Sequence, residues 1–386
     1  MNILYIGPNQ SEWADAHCPG SLAAARWSRG LLKGLSKVCN VTVLTHTYYY
    51  PWPKGSKLWS GRDDRLYPTE WDCEVVSYPV FRYVREWWWR YGYARSALKI
   101  LSKKHIDVIL TYNCYEPWMV SVLQTIKEKN PDIKIIPIVL DGDDPRKDDW
   151  GWMKRAGTWA DAFVVLSWWM YCNVRQNIGK PVYHLDGGAD GWRGVLPNAH
   201  GKAITLVHTG ELDKWRGLDF MIEVIEQTLA RRKDVKFVFC GRVGIDALRE
   251  RFGDSPNVEL LGFVEENKLS EVCRDATAFL NVRDVFQPDN ILNYPSKLAQ
   301  YLSFGRPVVS VRLQSLSPDY DEVVNFAPEH PGAGLAKDFV DAVESVLAWD
   351  DKRLMSEYLK IKAWFEVRKS WDIQARGLIK WMEATV

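Results

Sequence analysis

Within 294–310, YPSKLAQYLSFGRPVVS, a proline, a serine and a lysine stand at the start of a helical pattern. Pro295 suits the first position of a helix, where its missing N–H would have no partner anyway. The spacing therefore predicts a helix beginning near Tyr294, with free amides at its N-terminus. The hydroxyl of Ser296 and the ammonium of Lys297 stand beside those amides, a combination that suits a phosphate. Gly305 closes the helix and PVVSV follows as a strand. Taken as local structure alone, the same residues make a capped helix in an α/β fold.

A second concentration of polar groups is DGDDPRKDD at 141–149, directly after the strand pattern KIIPIVL. A carboxylate at the carboxyl end of a strand is placed for general-base or sugar-binding work, which singles out Asp141, with Asp143 and Asp144 in support. The same DGDDP is also good turn chemistry, stopped by Pro145. His17 is a further candidate for an acid–base role, although a loop histidine can equally be a bystander in solvent.

Such groups need rigid elements behind them. Short β-branched runs alternate with amphipathic stretches: NILYI, SLAAARWSRGLLKGL and VTVLT, then DVILTY, KIIPIVL, AFVVLS and PVYHL separated by helical patterns. That alternation predicts a parallel sheet with crossover helices. It pauses at 186–202, DGGADGWRGVLPNAHGK, and restarts with AITLVHTG, so a domain boundary is expected there. KFVFCG, NVELLG, TAFLNV and RPVVSV carry the second half, and from 333 onward the pattern is helical. The expected fold class is α/β, with two doubly wound, Rossmann-like domains over 1–187 and 203–365 joined by a linker at 188–202.

Composition narrows the function classes. A chain of 386 residues, 47% hydrophobic and 26% charged, reads as a folded protein of about two domains at roughly 150 residues each. Its 50 Lys+Arg against 49 Asp+Glu leave no global electrostatic footprint for nucleic acid, so no nucleic-acid partner is expected. MNILYIGPNQ has no basic region ahead of a long apolar stretch, and no run of about 18 apolar residues occurs, so neither a signal peptide nor a spanning helix is expected. The seven cysteines are odd in number, scattered and without a CxxC pair, which suits a reduced, cytoplasmic setting. After Gly7 the next glycine is Gly20, and there is no GxxxxGK[ST], HExxH or GxSxG. Dehydrogenase, kinase, zinc-protease and α/β-hydrolase readings lose their support.

The PSKL start, the helix and the following YLSFGRPVVS resemble the phosphate-binding segment of the GT-B glycosyltransferases, in the group-1 (family 4-like) set that uses nucleotide-sugar donors. The likeness runs in order along the chain: ILYIGP with a small-residue turn at Pro19, Gly20 and Ser21; ADAFVVLS at 160–167; GGAD at 187–190; and LVHTGELDKWRGLDFMIEVI. It implies GT-B architecture, an acceptor-binding first domain, a nucleotide-sugar-binding second domain, and a helix over 366–386 that returns to the first. Transfer would be retaining and metal-independent, with no cofactor. Where the family has an Arg and a Lys on the donor diphosphate, this sequence has Glu211 and Arg216, so Arg216 joins Tyr294, Ser296 and Lys297 as the diphosphate set. The family's pair of glutamates falls at Leu292 and Gln300; Gln300, with Asp289 and Asn290 just upstream, is the substitute for gripping ribose and sugar hydroxyls. Asp141 falls where the family has a His or Asp beside donor sugar and acceptor. Gly20, Ser21 and His17 mark the first loop and the acceptor side. A catalytically silent sugar-binding subunit and a nucleotide-sugar epimerase of the same fold are the alternatives.

Fifteen of the twenty tryptophans precede residue 193. Residues 81–104 hold Trp87, Trp88 and Trp89 among seven cations, Arg82, Arg85, Arg90, Arg95, Lys99, Lys103 and Lys104, against one acid, Glu86. This stretch, extended by YYYPWPKGSKLW at 48–59, reads as a membrane-surface element, as core, or as a stacking surface for an acceptor sugar. The expected partners are a UDP- or GDP-sugar and a glycan or lipid-linked acceptor, with a cytoplasmic location that extends to the inner face of the membrane.

Overall fold

Strands whose apolar runs are buried on both faces belong to parallel sheets sandwiched by helices, and two such sets occur. The computed structural model describes residues 1–140, 144–196, 203–285, 287–328 and 335–385. In the first set lie β1 (Asn2–Ile6), β2 (Asn40–Thr45), β3 (Asp72–Val75), β4 (Val108–Tyr112), β5 (Lys134–Val139), β6 (Phe163–Val165) and β7 (Val182–His184), ordered β3-β2-β1-β4-β5-β6-β7. The second holds β8 (Ile204–Thr209), β9 (Val235–Cys240), β10 (Val258–Gly262), β11 (Ala278–Asn281), β12 (Val308–Ser310) and β13 (Asn325–Phe326), ordered β10-β9-β8-β11-β12-β13. Every pairing is parallel. Both sheets are wound outward in two directions from their first strand, so the winding reverses between β1 and β4 and between β8 and β11. Loops at the carboxyl ends of such strand pairs diverge and leave room for a ligand.

The chain divides into two compact units, Met1–Gly188 with Trp371–Val386, and Ala189–Ser370. The helix Asp351–Arg368 stays with the second unit, and the chain rejoins the first at Trp371. There the helix Trp371–Thr385 lies on the helix Leu22–Leu35. Gly30 and Gly34, one turn apart, create the seat: a Cβ on Gly30 would overlap the Trp371 indole, and one on Gly34 would overlap the Trp371 carbonyl oxygen. Trp27 meets the same indole edge-on at 5.6 Å between ring centroids.

The tryptophan-rich stretch splits between core and surface. The helix Arg85–Lys103 buries Trp89, Tyr93, Ala97 and Ile100, which share one face at a spacing of three and four residues. Trp87 and Tyr91 are exposed on the opposite face. Two of the seven cations are held in surface ion pairs, Lys99 with Glu74 at 3.2 Å and Lys104 with Asp72. The basic run is therefore not one free face.

Candidate functional site

In the second unit, β8 ends at Thr209 and the chain turns at Gly210, whose φ of +88° is a conformation that side chains with a Cβ rarely adopt. The same glycine leaves space for another residue: a Cβ there would collide with Cε and Nζ of Lys297. The Lys297 ammonium thus lies directly over the turn that follows β8. One helical turn further on, Tyr301 holds this arrangement from below, its hydroxyl accepting from the Thr209 backbone N–H at 2.8 Å. Its ring stacks on Phe279 of β11 at 4.3 Å.

Two arginines complete the cluster. Asp213 caps the short turn Lys214–Arg216 by accepting from the Arg216 N–H at 2.8 Å, and its carboxylate also pairs with the Arg216 guanidinium. Glu211 reaches the same guanidinium at 3.1 Å. Arg283, two residues beyond β11, approaches from the other side of the switch point. Among the described residues neither Arg283 nor Lys297 has a hydrogen-bond or ion-pair partner. Burial, reinforced by Arg283 and then Arg216, pulls the Lys297 pKa down from 10.5 to about 7, while Glu211 and Asp213 act in the opposite direction. Burial and Arg216 bring Arg283 down to about 10. Both carboxylates are paired with Arg216, which leaves Lys297 and Arg283 with no counter-charge in direct contact among the described residues.

His208, the residue before Thr209, lies with Nδ1 3.0 Å from the Leu280 carbonyl, which can only accept, while its buried Nε2 has no partner among the described residues. Burial, then Lys297, lowers its pKa to about 3, so the ring is neutral at physiological pH. With neutral imidazole and an acceptor carbonyl, Nδ1 carries the proton.

The residues singled out by sequence are distributed unevenly around this cluster. Lys297 and Arg216 are brought together. The helix begins at Lys297 rather than near Tyr294, because Pro295 opens a turn in which its carbonyl accepts from the Leu298 N–H at 2.9 Å. Ser296 precedes the helix, exposed and without a side-chain capping bond. Tyr294 is a core residue: its hydroxyl meets that of Tyr320 at 2.6 Å. Asn290 is buried and its amide donates to the Asp284 carbonyl, so that group closes the loop after β11. Asp289 lies in the turn Pro288–Ile291, its side chain outside the described part. Gln300 is half-buried on the helix Lys297–Ser303. Arg283 was missed by sequence reasoning; its signal was a cation just past the fourth strand of a doubly wound unit, opposite the glycine turn.

In the first unit, Asp141 and Asp143 lie outside the described residues. Asp144 caps the turn Pro145–Asp148, accepting from the Arg146 N–H at 3.0 Å and pairing with its guanidinium at 2.7 Å. The Arg146 hydrogen bond holds its carboxyl below the usual range. Asp144 is therefore committed to its own turn. Ser21 caps the helix Leu22–Leu35 by accepting from the Ala24 N–H at 3.3 Å, and Gly20 precedes it with φ +154°. His17 ends a short helix, exposed, stacked on Trp13 at 4.1 Å with Nδ1 against the Trp13 carbonyl.

Residues 203–348 match the model of the family described as glycosyl transferases, group 1. No curated protein matches the chain in sequence. Among solved structures, sucrose-phosphate synthase from Thermosynechococcus elongatus is 12% identical, with all of this chain and 98% of that one covered at a TM-score of 0.66. A lipopolysaccharide outer core galactosyltransferase in its apo form is 13% identical, with both chains fully covered at 0.61. A trehalose-6-phosphate structure from E. coli bound with UDP-2-fluoro glucose is 10% identical, again with both chains fully covered, at 0.66. Residues 203–348 therefore match a group 1 glycosyltransferase domain, and the chain as a whole has the fold of these neighbours, two Rossmann-like units of the GT-B kind.

Proposed function

We propose that the chain transfers a sugar from a nucleotide-sugar donor to a glycan or lipid-linked acceptor, with retention at the anomeric carbon and without a metal. The observation that carries this reading is the cluster of Arg216, Arg283 and Lys297 at the β8/β11 switch point, where charge repulsion among cations is relieved by a diphosphate. The UDP-2-fluoro glucose bound by the E. coli neighbour supports a nucleotide-sugar donor. As the sugar–phosphate bond breaks, negative charge gathers on the leaving diphosphate, and cations already fixed in place stabilise it without reorganising. Arg216 and Lys297 hydrogen-bond the phosphate oxygens and Arg283 adds its field from beneath. Ser296 contributes a hydroxyl. Gln300 and Asp289 hold ribose or sugar hydroxyls in place of the family's carboxylates. Asp141 works on the acceptor side, with His17, Gly20 and Ser21 bordering the first loop.

A panel of UDP- and GDP-sugars, screened by thermal shift and then incubated without acceptor, tests this. A stabilising donor that slowly releases nucleoside diphosphate supports a transferase. Binding with no turnover, with or without added glycan acceptors, supports instead the silent sugar-binding subunit, which the replacement of the family's acids by Leu292 and Gln300 makes a reasonable second reading. Absence of any stabilising nucleotide sugar would remove the proposal.

A further inference from the structure

Large apolar side chains normally leave the surface of a monomer in ones and twos. Among the described residues, the first unit departs from this over 48–59 and 81–91. The segments 48–59 and 81–91 are joined by backbone: the Trp52 N–H donates to the Val80 carbonyl and the Val80 N–H to the Leu58 carbonyl, both at 2.9 Å. Their side chains are continuous as well, with Trp52 against Phe81 at 6.2 Å, Trp59 against Trp88 at 5.2 Å, and Trp88 against Trp87 and Tyr91. On this one surface Trp52, Leu58 and Trp59 are at least half exposed, Trp87 is 65% exposed and Tyr83 88%. The helix that starts at Arg85 is thus apolar on both sides over its first two turns. Trp89 and Tyr93 face the core, whereas Trp87 and Tyr91 face outward. A helix of that composition needs a second apolar neighbour.

The charges around the patch say what that neighbour is. The two segments contain five cations, Lys54, Lys57, Arg82, Arg85 and Arg90, and a single acid, Glu86. Several cations lie on the aromatic rings themselves: Lys54 over Tyr50 at 4.7 Å, Lys57 over Tyr49 at 4.2 Å and Arg82 over Tyr83 at 5.7 Å. Tyrosine and tryptophan settle at the level of lipid headgroups, with apolar body inward and polar edge in water, and cations beside them meet anionic phosphates. No helix of the described residues is long and apolar enough to cross a membrane, so contact of this kind lies in the plane of the interface.

We infer that the joined surface of 48–59 and 81–91 docks the chain on an anionic lipid bilayer, with Tyr83 and Trp87 as its leading side chains. The inference deepens the lipid-linked part of the proposed function but is independent of donor chemistry. The aromatic loop 48–59 carries as much of the contact as the helix does. Lys99 and Lys104, tied to acids further along, lie outside it.

Co-sedimentation of the full chain with vesicles of phosphatidylcholine alone and with one-third phosphatidylglycerol tests it, beside the double variant Tyr83→Ser/Trp87→Ser and the charge variant Arg82→Glu/Arg90→Glu. Both variants alter exposed side chains, and unchanged thermal unfolding and donor binding confirm that they fold. Wild type should bind the anionic vesicles, with each variant weakened at least tenfold, and rising salt should release only part of the bound protein because the aromatic contribution is not screened. Absence of wild-type binding, equal binding to neutral vesicles, or undiminished binding by both variants overturns the inference. A wild-type dimer in light scattering that the Tyr83→Ser/Trp87→Ser change dissociates also overturns it, in favour of a second copy as the occupant.

Discussion

Raising the pH from 6 to 8 should weaken donor binding about tenfold, and Lys297 is the reason. In the empty site this lysine holds its proton with a pKa of about 7, against an ordinary 10.5. Burial and the neighbouring Arg283 and Arg216 disfavour its charged form. A bound diphosphate supplies the missing negative charge and returns the pKa upward, so binding takes up a proton. The protonated share of the empty site falls from about nine-tenths at pH 6 to about one-tenth at pH 8, which is roughly tenfold, or about 1.4 kcal/mol, in affinity. The diphosphate of a nucleotide sugar does not itself titrate over this interval, so the slope belongs to the protein. Calorimetric titration with the nucleotide sugar chosen from the panel, in buffers of different ionisation heat, should show uptake of about half a proton per ligand at pH 7. Lys297→Met keeps most of the stem and should flatten the profile. A pH-independent wild-type affinity, or an equal slope in Lys297→Met, would refute the argument. The sign for folding follows from the same asymmetry. Between pH 7 and 10.5 the unfolded chain keeps a proton that the folded one has lost, so the empty protein gains stability as pH rises through that window.

Arg216→Ala should weaken donor binding by about 1.5–3 kcal/mol in calorimetry, the range for losing a hydrogen bond to a charged group, and Arg283→Ala, which removes a field and no hydrogen bond, should weaken it by less; undiminished affinity in both would dissolve the diphosphate site. Arg283→Ala should in addition raise the Lys297 pKa, moving the midpoint of the binding profile to higher pH. Asp141→Asn should leave folding and nucleotide affinity intact and lower turnover, and wild-type turnover would end its assignment to the acceptor side. Gly30→Ala should lower stability by about 1–3 kcal/mol in chemical denaturation, because the added methyl group displaces the Trp371 indole; an unchanged midpoint would mean that the two helices yield freely.

Much of the architecture was legible because a doubly wound fold repeats its instruction many times. Each apolar run such as KIIPIV or VKFVFC announces a strand buried on both faces, and the pause at 186–202 separates two series of them. The order of the strands cannot be read from any one run, yet it is the order that brings the loop after β8 next to the loop after β11. This is why Arg283 went unnoticed while Lys297 and Arg216 did not: the latter two sit beside glycines and a proline that mark turns, whereas Arg283 follows an ordinary strand in NVRDVF with no local cue. Tyr294 shows the converse. Its neighbours Pro295 and Ser296 look like a helix start, but its ring is buried and its hydroxyl meets that of Tyr320, which is distant in sequence. Lys99 and Lys104 show the same limit, since their acids, Glu74 and Asp72, lie on a strand some thirty residues back.

The seating of Trp371 between Gly30 and Gly34 has a bearing on how the chain is made. Those glycines are synthesised long before the helix that covers them. Between the two events the entire second unit is synthesised, and its sheet can close on local contacts alone. The first unit has by then its seven strands but an open groove along Leu22–Leu35, floored by Trp27. Closing that groove links residues more than three hundred positions apart, a late step with a large loop already formed. Until then the apolar face that Trp371 covers, with Trp27 in it, has no partner from its own chain. Arrival of Trp371–Thr385, rather than completion of the first sheet, is what closes the groove on Leu22–Leu35.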